Sequence, residues 1–125
     1  MMGWHVSVLR QADGGSAPAT KDAEEGPRLA VWQTGIEGLQ WLDELVAAGN
    51  AIDLGGDGYP NQYTAQAEHI VSRVVAGPPL ANRAWTVGEN DILTPAWEGK
   101  TMIDRGVADD CRPDEWLTII AWDES

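Results

Sequence analysis

The stretch "EWLTIIAW" at residues 115–122 decides the fold, because it is the strongest strand signal in the chain. Its alternate side chains form two sets, and both sets are largely apolar. One set is Trp116, Thr118, Ile120 and Trp122, and the other is Leu117, Ile119 and Ala121. A strand that is apolar on both faces is typical of the interior of a sheet. We therefore expect a central strand.

Two stretches near the N-terminus predict further strands. In "WHVSVLR" (4–10), Trp4, Val6 and Val8 alternate with the other side chains and give one strongly apolar face. "RLAVWQ" (28–33) resumes the pattern, and we expect it to run antiparallel to the first strand. Residues 11–27 between them are small, polar and rich in Gly, Pro and acids, which predicts a long mobile loop.

Two helices are predicted in the middle of the chain. "TGIE" (34–37) fits a capping box, an apolar arc follows it and Gly49 supplies a left-handed stop, so we expect a helix over 35–48. "AIDL" (51–54) is a short strand candidate. A second apolar arc predicts a helix that Thr64 caps and that ends before "GPP" (77–79).

The segment after the second helix allows two interpretations. "RAWTV" (83–87) fits a strand. Residues 94–110 begin like a helix, with Thr94 as the cap and Pro95 in the first turn. The alternative is a turn at 98–99 followed by a short strand, "KTMI" (100–103).

The order of these elements predicts an α+β fold. Residues 1–125 fit a single domain, with a mostly antiparallel sheet of about four to five strands and two or three helices packed on one face.

Charge restricts the classes of partner. The chain has 20 acidic and 8 basic residues, which gives a formal charge of −12. Binding to nucleic acid depends on Lys and Arg that neutralise phosphates, so direct nucleic-acid binding is disfavoured, as is an anionic membrane surface. A strongly negative protein associates rapidly with a basic protein surface, and we expect a basic protein partner.

Cysteine use and the N-terminus favour a cytoplasmic location. Cys111 is the only cysteine, and "MMGWHVSVLR" lacks the features of a signal peptide. No apolar run approaches the roughly 18 residues that a membrane span needs.

The loop "IDLGGDGYPNQY" (52–63) has three possible roles: a phosphate cradle, a cation site or a turn. Its acids, Asp53 and Asp57, argue against phosphate. They suit a calcium loop, but Gly55 and Thr64 occupy the third and twelfth ligand positions, where acids are needed. We favour a structural turn between a strand and the second helix, because Gly and Asp supply turn geometry.

No set of residues gives a catalytic signature, and we predict no catalytic residue, metal site or cofactor. "EGKT" (98–101) lacks the first glycine of a phosphate-binding loop. Cys111, with His5 or His69 as a base, is the only thiol candidate, and we interpret it as a small, half-buried side chain.

The predicted partner-binding residues are acidic and aromatic. They are Asp53, Asp57, Tyr59 and Tyr63 in the loop, Trp97, and the acids Asp109, Asp110, Asp114 and Glu115 near the C-terminus. Aromatic anchors and charges of one sign are common in protein interfaces.

Three functional hypotheses follow. The first is a small inhibitor that covers a basic, nucleic-acid-binding surface of a protein; immunity proteins, antitoxins and anti-CRISPR proteins share its size and charge. The second is a small enzyme or ligand-binding domain that uses loop 53–63, with or without a divalent cation. The third is a subunit of a homo-oligomer or phage particle, and the sequence does not set the oligomeric state.

Overall fold

The computed structural model describes residues 3–35, 37–56, 60–76 and 102–123. Its strands are β1 (Trp4–Gln11), β2 (Glu25–Thr34), β3 (Ala51–Gly55), β4 (Asn61–Gln66), β5 (Met102–Ile103) and β6 (Trp116–Asp123). Its helices are α1 (Gln40–Ala47), α2 (Ala67–Val75) and α3 (Arg105–Asp109). The predicted strand at 83–87 lies outside these residues.

A single antiparallel sheet organises the described residues, in the strand order β3-β4-β6-β1-β2-β5. The predicted α+β class and antiparallel sheet are confirmed, with six strands instead of four to five. β6 lies in the interior, paired with β4 on one side and β1 on the other. The central position predicted from its two apolar faces is therefore confirmed.

The helices pack on one face of the sheet, called here the helix face. The apolar sets predicted for the strands supply this face: Val6 and Val8 from β1, with Leu117, Ile119 and Ala121 from β6. Leu42 of α1 and Ile70 of α2 pack against them, and both are completely buried. Alternation in strands and helical periodicity thus meet in one core.

The first helix is shorter than predicted. Thr34 is the last residue of β2, where it pairs with Trp4, so it does not cap a helix and the expected capping box is wrong. Single turns follow, in which Gly38 N–H donates to Gly35 O and Gln40 N–H donates to Glu37 O. Only then does α1 begin.

The end of α1 is as predicted. Gly49 has a φ of 83° and its N–H donates to Val46 O, while Asn50 N–H donates to Leu45 O. These two bonds form a Schellman motif, which needs a residue in the left-handed conformation.

The second helix also begins later than predicted. Thr64 lies in β4, where its hydroxyl donates to Leu117 O at 2.8 Å and accepts from Ala19 N–H at 3.0 Å. The first N–H groups of α2 are instead satisfied by backbone carbonyls: Ala67 donates to Glu115 and Glu68 donates to Pro113. The chain just before β6 therefore caps α2.

The open question at 94–110 is settled where the structure describes it. β5 covers Met102–Ile103 and pairs with β2, which favours the short-strand interpretation there. The helix α3 is confined to Arg105–Asp109, and Asp104 caps it by accepting from Val107 N–H at 3.1 Å. A helix running continuously through 102–104 was wrong, because residues in this stretch pair with β2.

The predicted loop 11–27 is shorter in the structure, because β1 extends to Gln11 and β2 begins at Glu25. Gly15 O accepts from Trp116 N–H at 2.8 Å, and Ala17 O accepts from the side chain of Gln11 at 2.9 Å. These bonds hold residues 15–17 against β6 and β1. Mobility of the segment stays a prediction.

A buried ion pair joins Arg10, near the end of β1, to Glu115, the residue just before β6. Arg10 Nε donates to Glu115 Oε2 at 2.7 Å, and Arg10 Nη2 donates to Oε1 at 3.0 Å. The Glu115 side chain is completely buried and that of Arg10 is 22% exposed. The hydrogen bond to Glu115 raises the pKa of the Arg10 guanidinium. Removing one partner leaves the other charge poorly solvated.

We expect Glu115→Gln to lower the free energy of unfolding by about 3 kcal/mol, measured by urea denaturation, because it leaves the Arg10 charge without its carboxylate partner. Asp114→Asn is the matched control. The Asp114 side chain is 77% exposed and lies 3.5 Å from an Arg112 that is 54% exposed, so its loss should cost less than about 0.5 kcal/mol. Equal losses in the two variants would contradict the structural role of the buried pair.

Candidate functional site

The Gly- and Asp-rich loop 52–63 connects two strands. β3 and β4 pair antiparallel on either side of it, so the predicted turn from a strand into a helix was wrong in its second half. The predicted turn geometry is present: Asp53 Oδ1 accepts from Gly55 N–H at 2.8 Å, and Gly55 and Gly56 have φ of 95° and 123°. A side chain at Gly56 would overlap the Pro60 carbonyl oxygen, so this turn requires glycine.

Next to this hairpin lies a cleft of about 530 Å³, called here the acidic cleft. β1, β3 and β4 form one side of it, and α1 with the turn before it forms the other. Its described lining residues are Trp4, Glu37, Leu39, Gln40, Asp43, Asp53, Asn61 and Tyr63. They include three carboxylates and no Lys, Arg or His. The cleft is therefore strongly negative.

The register of the sheet explains why these side chains meet. Asp53 pairs with Tyr63, and Asn61 precedes Tyr63 by two residues, so all three point to the helix face. Asp43 belongs to the first turn of α1, which packs beside β3. Tyr63 is 3% exposed whereas Asp43 and Asp53 are exposed, so the carboxylates form the rim around an aromatic floor.

The pKa of Tyr63 reflects both the burial of its side chain and the negative charge of the cleft. Burial, followed by the nearby carboxylates of Asp43 and Asp53, raises the pKa of Tyr63 to about 12. Each of these causes disfavours the phenolate. The carboxylates of Asp43 and Asp53 that disfavour the phenolate favour a positive group that enters the cleft, whereas burial disfavours a charge of either sign.

The predicted partner-binding residues fall into several places. Asp53 and Tyr63 meet in the acidic cleft. Glu115 faces inward on Arg10, so we leave it out of any partner surface. Asp109, Asp110 and Asp114 are exposed around the end of α3 and the turn before β6, and we call them the acidic ridge. Asp57, Tyr59 and Trp97 lie outside the described residues.

Two acidic residues of the cleft were not among the predicted site residues. In the sequence, Glu37 and Asp43 lie opposite the apolar arc of the first predicted helix, where exposed acids are ordinary. Their polar arc was the available signal, but only the packing of α1 beside β3 shows that it borders a cleft.

The tryptophans divide between core and surface. Trp32 and Trp41 are 0% and 5% exposed and lie 6.2 Å apart between ring centroids, so they belong to the core. Trp4 and Trp116 are half-buried, and Trp122 is 46% exposed. Trp4 is the described tryptophan that lines the acidic cleft.

Cys111 has the environment of a structural thiol. Its Sγ donates to Val107 O at 3.5 Å. Burial and the charge of Glu115 raise the pKa of the Cys111 thiol, and this outweighs the opposite effect of Arg10 and Arg112. A nucleophilic cysteine needs the thiolate, so its environment works against that role.

No group of three or more His, Cys, Asp or Glu side chains suited to a metal ion occurs among the described residues. Asp57, one of the two acids in the calcium hypothesis, lies outside them, so a cation in the loop stays a prediction.

Comparisons with known protein families, with curated proteins and with solved structures gave no match to this chain. Within the described ranges, no helix is long and apolar enough to cross a membrane. The site therefore has to be interpreted from its own chemistry.

Raising the pH should test the environment of Tyr63. An unfolded tyrosine ionises near pH 10, while the pKa of about 12 in the folded chain keeps the Tyr63 phenol neutral to a higher pH. The contribution of Tyr63 to stability is thus complete below pH 10 and is lost as the pH rises toward 12. The free energy of unfolding should fall across that interval in the wild type.

Tyr63→Phe is the control for this measurement, because it keeps the ring and removes the titrating hydroxyl. Its unfolding free energy should fall less between pH 10 and 12 than that of the wild type, in parallel urea titrations. Identical pH dependence in the two proteins would show that Tyr63 ionises normally and that the cleft does not act on it.

Proposed function

We propose that this chain binds a basic protein and that the acidic cleft receives Lys or Arg side chains of that partner. The observation that carries the proposal is that Glu37, Asp43 and Asp53 line one cleft together with Trp4 and Tyr63, with no cation among the described lining residues. Carboxylates and aromatic faces are the groups that bind ammonium and guanidinium ions in proteins.

Concavity favours the cleft over the acidic ridge as the main contact. Two unit charges about 4 Å apart gain about 1 kcal/mol in bulk water but about 4 kcal/mol at an effective dielectric of 20 near a protein surface. A partner side chain that enters the cleft displaces water from several carboxylates at once. The cleft acids and the ridge acids are all exposed in the free chain, and a pair that stays exposed contributes about 0–1 kcal/mol, so the cleft gains only where the entering side chain excludes water.

The net charge adds a long-range component. A formal charge of −12 attracts a basic surface before contact and speeds association at low ionic strength. It also disfavours nucleic acid as the direct ligand. A basic protein surface often serves to bind nucleic acid, so covering it would inhibit the partner, and we favour this inhibitory role for the chain.

Capture of partners from a cytosolic extract tests this function with two immobilised variants. The cleft variant carries Glu37→Gln, Asp43→Asn and Asp53→Asn, and asparagine at 53 keeps the oxygen that accepts from Gly55 N–H. We expect the wild type to retain a partner at low salt and release it at high salt. The cleft variant should retain at least about tenfold less, because it loses the local charges.

The matched control is a ridge variant with Asp109→Asn, Asp110→Asn and Asp114→Asn. It removes the same three charges from the total of −12. It should retain the partner nearly as well as the wild type, and thermal unfolding checks that both variants fold. Equal losses in the two variants would reduce the effect to net charge, and retention by the cleft variant would exclude the cleft.

A further inference from the structure

In the part of the chain that the structure describes, the strand β3 forms one edge of the sheet and borders the acidic cleft. Among the described residues it pairs only with β4, and it is the outermost strand on that side. Its side chains at Ile52 and Asp53 are exposed, with Ile52 at 43%. An edge strand presents unpaired N–H and C=O groups along its length, and these can pair with another extended chain.

The opposite edge of the sheet is less suited to this role. β5 has only two residues, Met102 and Ile103, so it offers few backbone groups. β3 has five, Ala51–Gly55, which is close to the usual length of a strand.

The side chains of β3 define what an added strand must carry. Asp53 lies on the helix face and lines the acidic cleft, while Ile52 lies on the other face of the sheet. Residues opposite each other on paired strands point to the same face. A residue opposite Asp53 therefore points toward the cleft, and its neighbours along the strand point toward the side of Ile52.

We propose that β3 accepts an extended segment of the basic partner as an additional strand. A Lys or Arg of that segment lies beside Asp53 and reaches into the acidic cleft, and flanking apolar residues cover Ile52. This inference rests on the proposed function, since it states how the partner of that function binds. Backbone hydrogen bonds supply affinity, and the alternation of basic and apolar residues supplies specificity.

Charge decides between this occupant and a second copy of the chain. Pairing β3 with itself would bring two Asp53 side chains close together and join two chains of charge −12, which is unfavourable. On the other face, Lys21 Nζ lies 3.4 Å from the position that a Cβ of Gly55 would take. A cation there would meet Lys21, so the basic residues of the segment belong on the cleft side.

Three synthetic peptides test the proposal on the wild-type chain. The first alternates Lys and Val. The second has the same composition with all Lys before all Val, and the third is the alternating peptide N-methylated at every residue. All carry the same charge, but only the first combines the alternation with free backbone N–H groups. Affinity and amide exchange are measured by NMR titration.

We expect the alternating peptide to bind at least about tenfold more tightly than either control and to slow exchange of amides in β3. Ile52→Lys, which places a charge on the exposed edge, should weaken the binding of the alternating peptide by a similar factor. Equal binding of the three peptides would overturn the added strand while leaving charge-driven partner binding intact. Absence of binding, or perturbation of β5 in place of β3, would overturn it as well.

Size-exclusion chromatography of the chain without peptide tests whether a second copy of the chain occupies the β3 edge. A concentration-dependent dimer that Ile52→Lys abolishes would assign the β3 edge to a second copy and overturn the proposal. A wild-type chain that elutes at one size over the concentration range supports it. The proposed function itself fails on a different result, the insensitivity of partner capture to the three cleft carboxylates.

Discussion

Pairing of β6 on both of its sides is the constraint on which the rest of the structure depends. One side fixes β1, which brings Val6 and Val8 beside Ala121 and Ile119. The other side fixes β4, and through it the edge strand β3. Since a shift by one residue would exchange the two faces of a strand, this register determines which side chains face the helices.

The chain just before β6 extends this control to the helices. Backbone carbonyls at Pro113 and Glu115 accept the first N–H groups of α2, while the Glu115 carboxylate binds Arg10 of β1. A single short segment thus satisfies a helix end and a buried charge. The same register also places the acidic cleft, because β4 and β3 carry Tyr63 and Asp53 on the helix face beside α1.

Features set by periodicity could be predicted from the sequence. The two-residue alternation in 115–122 gave the interior strand, and the apolar arc before Gly49 gave α1 with its Schellman end. Thr34 and Thr64 were misassigned because a threonine before an apolar run suits a helix cap and the end of a strand equally well. In both cases strand pairing, which sequence patterns do not specify, decided the outcome.

The candidate site was only partly predictable for the same reason. Asp53 and Tyr63 were recognised within one loop, but Glu37 and Asp43 reach them through tertiary packing. Glu115 was assigned to the surface because an acid beside Asp114 resembles a solvated turn, and its partner Arg10 lies 105 residues away in sequence. Long-range pairs of this kind leave no local pattern.

Residue-resolved amide hydrogen exchange tests the central role of β6 most directly. If β6 holds the sheet together, its amides from Leu117 to Ala121 should exchange only through global unfolding, with the free energy of unfolding measured in urea. Amides of the edge strands β3 and β5 should exchange faster through local opening. Exchange in β6 as fast as in β3 would contradict the account.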